Sequence, residues 1–263
     1  YGTNKLKIIL KKYALYLKLM NNNNHIPWIS SDMNFPETDN GVSEIPELNG
    51  LVAASDRLDS KMLINAYKRG IFPWSGQGQP ILWWSPNPRM VLNCNEFILH
   101  NSLKKKIKSK IKSGMRLTCN KAFKEVITAC ATPRPGQKSS WITTEIIKSY
   151  YTLHKNNLAH SIEVWQDEDL IGGLYTVALG KMVFGESMFH KQSDASKIAL
   201  TGLVKWLLIN KGKIIDCQQE TRHLANFGAK PIERKKFEMI IQELTHLPEL
   251  PWSSEPPSTE IFL

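Results

Sequence analysis

The segment from Met182 to Gln218 constrains the fold of this chain more than any other part of the sequence. It contains two apolar runs typical of strands, MVFGESMF and KIIDCQ, and between them a stretch with the apolar periodicity of a helix. A unit of this kind predicts an α/β domain in which helices pack against a sheet.

Both apolar runs carry polar side chains near their ends, Glu186 in the first run and Asp216 with Gln218 in the second. Side chains alternate between the two faces of a strand, so Asp216 and Gln218 are expected on one face and Cys217 on the other. Each polar residue alone is explained as a turn former or a helix-start acceptor. The three together have no packing reason, and they predict a reaction site at the strand ends.

The 263 residues are enough for one large domain or two smaller ones. Lysines interrupt every long apolar run, so no membrane-spanning helix is expected. The cysteines form no CxxC pair, which argues against a zinc site or a disulfide framework and suits a reducing cytoplasm. These cysteines are Cys94, Cys119, Cys130 and Cys217.

The net charge of +10 favours a polyanionic partner, either a nucleic acid or a membrane surface. The segment LKKKIKSKIKSGMR concentrates this charge on a predicted helix, whose apolar stripe is Leu103, Ile107 and Ile111. A solvated helix without a partner is the alternative interpretation, but phosphate contact is favoured and predicts salt-sensitive binding. The basic face of this helix consists of Lys104, Lys105, Lys108 and Lys112.

Composition divides the chain into four parts. Residues 1–20 contain no acid and mix lysine with apolar residues, which indicates an extension outside the fold, or alternatively a basic membrane-surface helix. Residues 21–88 are predicted as a small N-terminal α+β domain and residues 89–248 as a catalytic domain. Residues 249–263 are rich in Pro and Ser and are expected to be a loosely held tail.

The small domain contains one clear helix, SKMLINAYKR, followed by the stretch GIFPWSGQGQPILWWSPNPR. Its tryptophans lie among glycines and prolines, where a periodic element is not expected. Two interpretations of Trp74, Trp83 and Trp84 remain open, namely burial at a domain junction and a binding wall for an apolar or aromatic group.

In the larger domain, HSIEVWQDEDLIGGLYTVALGKMVFGESMF predicts a three-stranded β-meander. A meander followed by a helix and a further strand resembles the GCN5-related acetyltransferase (GNAT) fold with a mixed sheet. That fold holds the pyrophosphate of CoA at a glycine-rich turn before the helix. The corresponding turn here, FHKQSDASKIAL, contains no glycine, which indicates an acyl donor other than CoA.

The motifs GIFPWSGQGQPILWWSPNPR, SWIT, HSIEVW, GGLY, FGESMF, DASKIAL and IIDCQ occur in the order found in bacterial leucyl/phenylalanyl-tRNA–protein transferases, and the chain resembles this family over residues 49–229. The resemblance implies transfer of Leu, Phe or Met from aminoacyl-tRNA to a protein with N-terminal Arg or Lys, which marks that protein for N-degron degradation. It also implies a small N-terminal domain, a GNAT-like catalytic domain, and a cytoplasmic monomer without metal or organic cofactor.

The resemblance implies roles for individual residues as well. It places Gln218 at the attacking amine, Asp216 behind it, and Glu186 near the α-amino group of the donor. The residues implied to contact the acceptor arm of tRNA are Lys104, Lys105 and Lys108. The tryptophans implied to adjoin the aminoacyl adenosine are Trp74 and Trp141. The residues implied to line the amino-acid pocket are Leu174, Val183, Leu203 and Ile215.

The implied chemistry is aminolysis of an already activated ester. An α-amino group has a pKa of about 7.7 to 8, so a fair fraction of the nucleophile is neutral at cytoplasmic pH. The carboxamide of Gln218 orients this amine but is a very poor base, so either Asp216 or a nearby water takes the proton. Glu186, Asp216 and Glu220 are expected to attract the cationic acceptor to a chain that is otherwise basic.

Three other classes of function remain as alternatives. A CoA-dependent N-acetyltransferase shares the expected fold but lacks support from the glycine-free turn. A non-enzymatic RNA-binding module explains the charge but not the polar strand ends. A thiol enzyme using Cys217 and His223 conflicts with the expected direction of Cys217.

Overall fold

The computed structural model of the chain describes residues 26–40, 48–76, 78–133 and 140–252. The expected extension at residues 1–20 and the end of the expected tail, residues 253–263, lie outside the described residues. The chain divides into two compact units between Asn87 and Pro88.

The described residues of the first unit form a three-stranded antiparallel sheet with the strand order β1-β3-β2 and one α-helix. The predicted helix begins where the carboxylate of Asp59 accepts a hydrogen bond from the backbone N–H of Met62. The elements of this unit are β1 (Leu51–Ser55), α1 (Ser60–Lys68), β2 (Phe72–Pro73) and β3 (Ile81–Trp84).

The tryptophan-rich stretch of the first unit forms strands, contrary to the expectation that no periodic element forms there. Trp83 and Trp84 lie in β3 and are buried, and the indole N–H of Trp83 donates to Ser55 Oγ at 2.9 Å. Aromatic side chains fit a pleated, buried surface well, and the Gly and Pro residues of the stretch fall outside β3. Trp74 follows β2 and stays 43% exposed.

The second unit contains a seven-stranded mixed sheet with the order β10-β4-β9-β8-β7-β6-β5, which confirms the predicted mixed α/β architecture. Its strands are β4 (Arg89–Asn93), β5 (Met115–Cys119), β6 (Ala159–Gln166), β7 (Asp169–Leu179), β8 (Met182–His190), β9 (Ile214–Gln218) and β10 (Lys230–Ile232). Its helices are α2 (Asn101–Lys112), α3 (Phe123–Ala131), α4 (Thr144–Lys155), α5 (Ala195–Ile209), α6 (Arg222–Ala225) and α7 (Arg234–Thr245).

Strands β6, β7 and β8 form the predicted antiparallel meander, and β8 and β9 are the parallel pair of this sheet. On one face of the sheet, Leu174 of β7 belongs to a hydrophobic cluster that includes residues of α2 and α5. The next residue, Tyr175, points to the opposite face, where its ring contacts Phe123 of α3 and Tyr150 of α4. The sheet therefore carries helices on both faces.

The first residues of the expected tail are packed into the core, so the prediction of a loosely held segment is wrong for Leu250 and Trp252. The ring of Trp252 stacks on His160 of β6 at a centroid distance of 4.1 Å and on Trp206 of α5 at 4.2 Å. A polar, proline-rich composition does not predict a loosely held segment when that segment contains two large apolar side chains that can be buried. These two side chains are only 2% and 3% exposed.

Trp252→Ala should lower the free energy of unfolding by about 3–5 kcal/mol, because it removes a large buried ring and leaves a cavity between β6 and α5. Chemical denaturation monitored by circular dichroism measures this change. Met239→Ala, at a side chain that is 69% exposed, is the control and should change stability by less than about 0.5 kcal/mol. Equal effects of the two substitutions would contradict the packing of the tail.

Candidate active site

The parallel strands β8 and β9 pair at only two positions, Val183 with Ile215 and Phe184 with Asp216. A β-bulge follows in each strand, because Glu186 has no register partner in β7 and Cys217 has none in β4. Bulges bend a strand and redirect its side chains, and they are common beside active sites. The predicted polar residues therefore lie where the pairing of the two central strands ends, but Glu186 lies in the middle of β8 and not at its end as expected.

The carboxylate of Asp216 forms an ion pair with Arg89 at the start of β4, and both side chains have zero exposed surface. Arg89 Nε donates to Asp216 Oδ1 at 2.8 Å, and Arg89 Nη2 donates to Oδ2 at 2.6 Å. This bidentate geometry is the strongest that an arginine and a carboxylate can form. Both carboxylate oxygens of Asp216 thus already accept hydrogen bonds.

Gln218 has a left-handed backbone with φ of +61°, which is uncommon for a residue other than glycine. Its backbone N–H donates to Asp216 Oδ1 at 2.8 Å, and its side-chain Nε2 donates to Glu186 Oε1 at 3.1 Å. The bulge at Cys217 and this left-handed turn interrupt simple strand alternation, so alternation alone does not determine the direction of the Gln218 side chain.

Glu186 also accepts a hydrogen bond from the hydroxyl of Tyr150, with 2.9 Å between Tyr150 Oη and Glu186 Oε2. The site is therefore a continuous hydrogen-bonded series: Tyr150, Glu186, Gln218, Asp216 and Arg89. Sequence reasoning did not identify Tyr150 or Arg89. A basic residue directly before the apolar run MVL was the available signal for Arg89, whereas Tyr150 is one of two adjacent tyrosines in a helix and gives no such signal.

The four residues expected to line an amino-acid pocket lie in one hydrophobic cluster, on the face of the sheet that α5 covers. They are Leu174, Val183, Leu203 and Ile215, each at most 3% exposed. Met188 and Cys217 are partly buried against the same cluster. The sequence-predicted set is therefore brought together by three neighbouring strands and one helix.

The two tryptophans implied to adjoin the aminoacyl adenosine, Trp74 and Trp141, belong to different units. Trp141 is half-buried and lies three residues before α4 in the second unit. Trp74 lies in the first unit, where its ring contacts Trp84 edge-on at a centroid distance of 6.0 Å. Its backbone carbonyl accepts a hydrogen bond from the indole N–H of Trp84 at 2.6 Å.

Helix α2 has the predicted amphipathic arrangement, with Leu103 and Ile107 buried. The exposed lysines on its outer side include Lys104, Lys105 and Lys108. A different lysine ties the helix to the start of α5, since Lys106 Nζ lies 2.5 Å from Asp194 Oδ2. Hydrogen bonds from Lys106 and from Lys197 lower the pKa of Asp194 to about 2.

Each of the two units matches a sequence profile of the same protein family. The sequence profile described as leucyl/phenylalanyl-tRNA protein transferase matches residues 91–242, and the profile of the N-terminal domain of the same family matches residues 56–87. The leucyl/phenylalanyl-tRNA–protein transferase of Polaromonas sp. (strain JS666) is 46% identical over 88% of this chain and 91% of that protein. The leucyl/phenylalanyl-tRNA–protein transferase of Bordetella avium (strain 197N) is 44% identical over 86% of this chain and 92% of that protein.

This chain belongs to the leucyl/phenylalanyl-tRNA–protein transferase family. The family profile that matches residues 91–242 includes α4, β8 and β9, and hence every residue of the hydrogen-bonded series except Arg89. Among solved structures, L-PGS from Bacillus licheniformis is 8% identical over 66% of this chain and 57% of that chain, with a TM-score of 0.36. That similarity is too weak to support any assignment.

Within the described residues, no three His, Cys, Asp or Glu side chains form a group that could hold a metal ion. None of the helices in the described part of the chain is long and apolar enough to span a lipid bilayer.

Cys217 does not have the environment of a catalytic thiol. Its side chain packs against the hydrophobic cluster, and burial raises the pKa of the thiol well above its usual range. His223, the partner considered for it, instead contacts the ring of Phe227 at a centroid distance of 5.4 Å. A thiol with a raised pKa is a poor nucleophile, because the thiolate is the reactive form.

In this member of the leucyl/phenylalanyl-tRNA–protein transferase family, Cys217 should therefore resist alkylation by iodoacetamide in the native state and react fully in denaturant. Mass spectrometry of the digested protein measures the modified fraction at each cysteine. Cys217→Ala should retain transfer activity within about twofold, since it removes no catalytic group. Rapid native alkylation of Cys217 with parallel loss of activity would restore the thiol mechanism.

Proposed function

We propose that this chain transfers Leu or Phe, and also Met, from aminoacyl-tRNA to the N-terminal Arg or Lys of acceptor proteins. Membership of the family makes the chain an aminoacyltransferase, and its named relatives use Leu- and Phe-tRNA as donors. The product is a protein with a new N-terminal residue, which marks it for N-degron degradation in the cytoplasm. The enzyme acts as a monomer and needs no cofactor.

One contact carries this proposal, namely the hydrogen bond from Gln218 Nε2 to Glu186 Oε1 at 3.1 Å. It holds a carboxamide and a carboxylate side by side where β8 and β9 separate. Two amines take part in the reaction, the α-amino group of the donor residue and the attacking amine of the acceptor. In the proposed complex, Glu186 binds the first and the side-chain oxygen of Gln218 accepts a hydrogen bond from the second.

The chemical step is attack of the neutral acceptor amine on the ester carbonyl of aminoacyl-tRNA. The new C–N bond forms, the ester C–O bond breaks, and the 3′-terminal ribose hydroxyl leaves. Gln218 orients the amine, and alignment alone contributes a large share of the rate for an ester that is already activated. Since both Asp216 oxygens accept hydrogen bonds within the buried ion pair, a water at the site takes the proton of the amine and passes a proton to the leaving ribose oxygen.

The ion pair also changes the expected source of acceptor selectivity. The negative charge of Asp216 is matched by Arg89 in a buried contact, so it adds little field at the acceptor site. Glu186 and the exposed Glu220, which follows β9 by two residues, remain to attract a cationic N-terminal residue. We assign the preference for N-terminal Arg or Lys to these two carboxylates.

The donor side chain is proposed to enter the hydrophobic cluster between β7, β8, β9 and α5. Aliphatic residues line this cluster, which suits the side chains of Leu, Phe and Met. Trp74 and Trp141 are each proposed to contact the aminoacyl adenosine, because aromatic rings commonly stack on unpaired RNA bases. The exposed lysines of α2 are proposed to bind the phosphates of the acceptor arm.

The splayed parallel pair β8/β9, flanked by antiparallel strands, supports a GNAT-like fold for the second unit. The CoA-dependent alternative is not supported by the start of α5. There Asp194 places a carboxylate between Lys106 and Lys197, so both lysines are already paired with a negative charge where a pyrophosphate would need them.

The proposed reaction is tested with labelled Leu, Phe and Met on tRNA and with peptides that begin with Arg, Lys or Ala. Transfer should occur to Arg and Lys peptides, with the Ala peptide as the matched negative control. Gln218→Ala should reduce the single-turnover rate roughly 100-fold through misorientation of the amine. Absence of transfer, together with intact RNA binding, would leave an RNA-binding module as the function.

Replacing Lys104, Lys105 and Lys108 together by Gln should weaken tRNA binding and make it less sensitive to salt. If each lysine contacts one phosphate, the slope of log K against log salt concentration becomes less steep by about 2 to 3. Fluorescence anisotropy of labelled tRNA measures this slope. A triple replacement at Lys148, Lys155 and Lys235, which are other lysines of the second unit, is the control, and an equal effect there would contradict a specific role of α2.

A further inference from the structure

The ion pair of Arg89 and Asp216 is unusual because both of its charged groups are fully buried. Both side chains have no exposed surface, and the pair connects residues that are 127 positions apart in the chain. The desolvation of two buried charges is costly, and apolar residues of similar volume often serve stability equally well or better. The pair lies next to Gln218, to which Asp216 is hydrogen-bonded, and this position indicates a role beyond stabilising the sheet.

The ion pair is hydrogen-bonded to the backbone of Gln218. Asp216 Oδ1 accepts one hydrogen bond from Arg89 Nε and another, at 2.8 Å, from the Gln218 backbone N–H. That N–H belongs to a residue with φ of +61°, a strained conformation that persists only where neighbouring contacts hold it. Asp216 is such a contact, and its own orientation is fixed by the guanidinium fork.

Arg89 is also contacted by a helix that packs against the sheet. The aromatic ring of Phe237 in α7 lies against its guanidinium, with 4.5 Å between the guanidinium carbon and the ring centroid. Phe237 is itself fully buried, so the arginine is clamped between a strand and a helix. A guanidinium held in this way allows Asp216 one orientation, since both N–H···O bonds must be kept.

We propose that Arg89 is a positioning residue of the transferase site, which acts through Asp216 to hold Gln218 in its left-handed conformation and its carboxamide beside Glu186. The inference rests on the proposed function and deepens it. It gives Asp216 the role of an anchor for Gln218 in place of a proton acceptor. Arg89 itself touches neither substrate nor reacting atoms.

The decisive variant replaces the whole pair, Arg89→Met with Asp216→Leu, because an apolar pair of similar volume commonly preserves the fold. Its single-turnover transfer rate should fall roughly 100-fold, the effect of misplacing a reacting group by about 1 Å. The KM for aminoacyl-tRNA should stay within about twofold, because the lysines and the hydrophobic cluster are unchanged.

Arg89→Lys is the second variant and keeps the charge without the bidentate fork. It should also reduce the single-turnover rate, by a smaller factor than the double replacement. If the double variant does not fold, the rate of Arg89→Lys tests the proposal instead. The matched control is Arg116→Met with Glu168→Gln, which removes an ion pair of the same unit whose side chains are 45% and 96% exposed. This control should transfer at the wild-type rate.

Hydrogen exchange of the Gln218 backbone amide, measured by NMR, is a readout independent of activity. The amide should be protected in the wild type and should lose protection selectively in both Arg89 variants, while amides elsewhere in β9 keep theirs. Wild-type rate and protection in a folded variant would overturn the proposal. If the wild type itself fails to transfer, the proposed function falls, whereas the exchange data still decide whether Arg89 positions Gln218.

Discussion

The second unit depends on one backbone constraint, the limited pairing of its two central strands. Strands β8 and β9 run parallel for two paired positions, and then a bulge in each strand separates them. Gly185 lies at this point, where an added Cβ would come within 3.2 Å of the Asp216 carbonyl oxygen. The remaining strands are antiparallel and keep the sheet closed on both sides of the separation. The opening between the strands is thus a property of the sheet, and the polar residues occupy it.

Polar groups at this opening are bonded mainly to one another. The carboxylate of Glu186 accepts from Tyr150 and from Gln218, and that of Asp216 accepts from Arg89 and from the Gln218 backbone. Such an arrangement engages the oxygens of both carboxylates and fixes side-chain directions closely. It is suited to a reaction whose acyl group arrives already activated and whose nucleophile is an amine, where orientation matters more than a strong base.

Local sequence patterns predicted those features that depend on neighbouring residues. The apolar stripe of α2, the β-meander and the polar residues of β8 and β9 all follow from spacing within a few residues. The pairing of Arg89 with Asp216 spans 127 positions, and that of Tyr150 with Glu186 spans 36, so no local pattern encodes either. The same limitation explains Trp83 and Trp252, whose burial depends on partners from distant segments.

The placement of β9 also has a consequence for the order in which the protein is assembled on the ribosome. β9 lies between β4 and β8, yet it is synthesised after both of them. Because the other neighbour of β4, β10, is also synthesised later, both edges of β4 stay unpaired during translation, and Arg89 lacks its carboxylate partner until Asp216 emerges more than a hundred residues later. A late central strand makes folding slow, because its contacts are non-local. Unpaired strand edges of this kind are prone to aggregation until their partner strands have been synthesised.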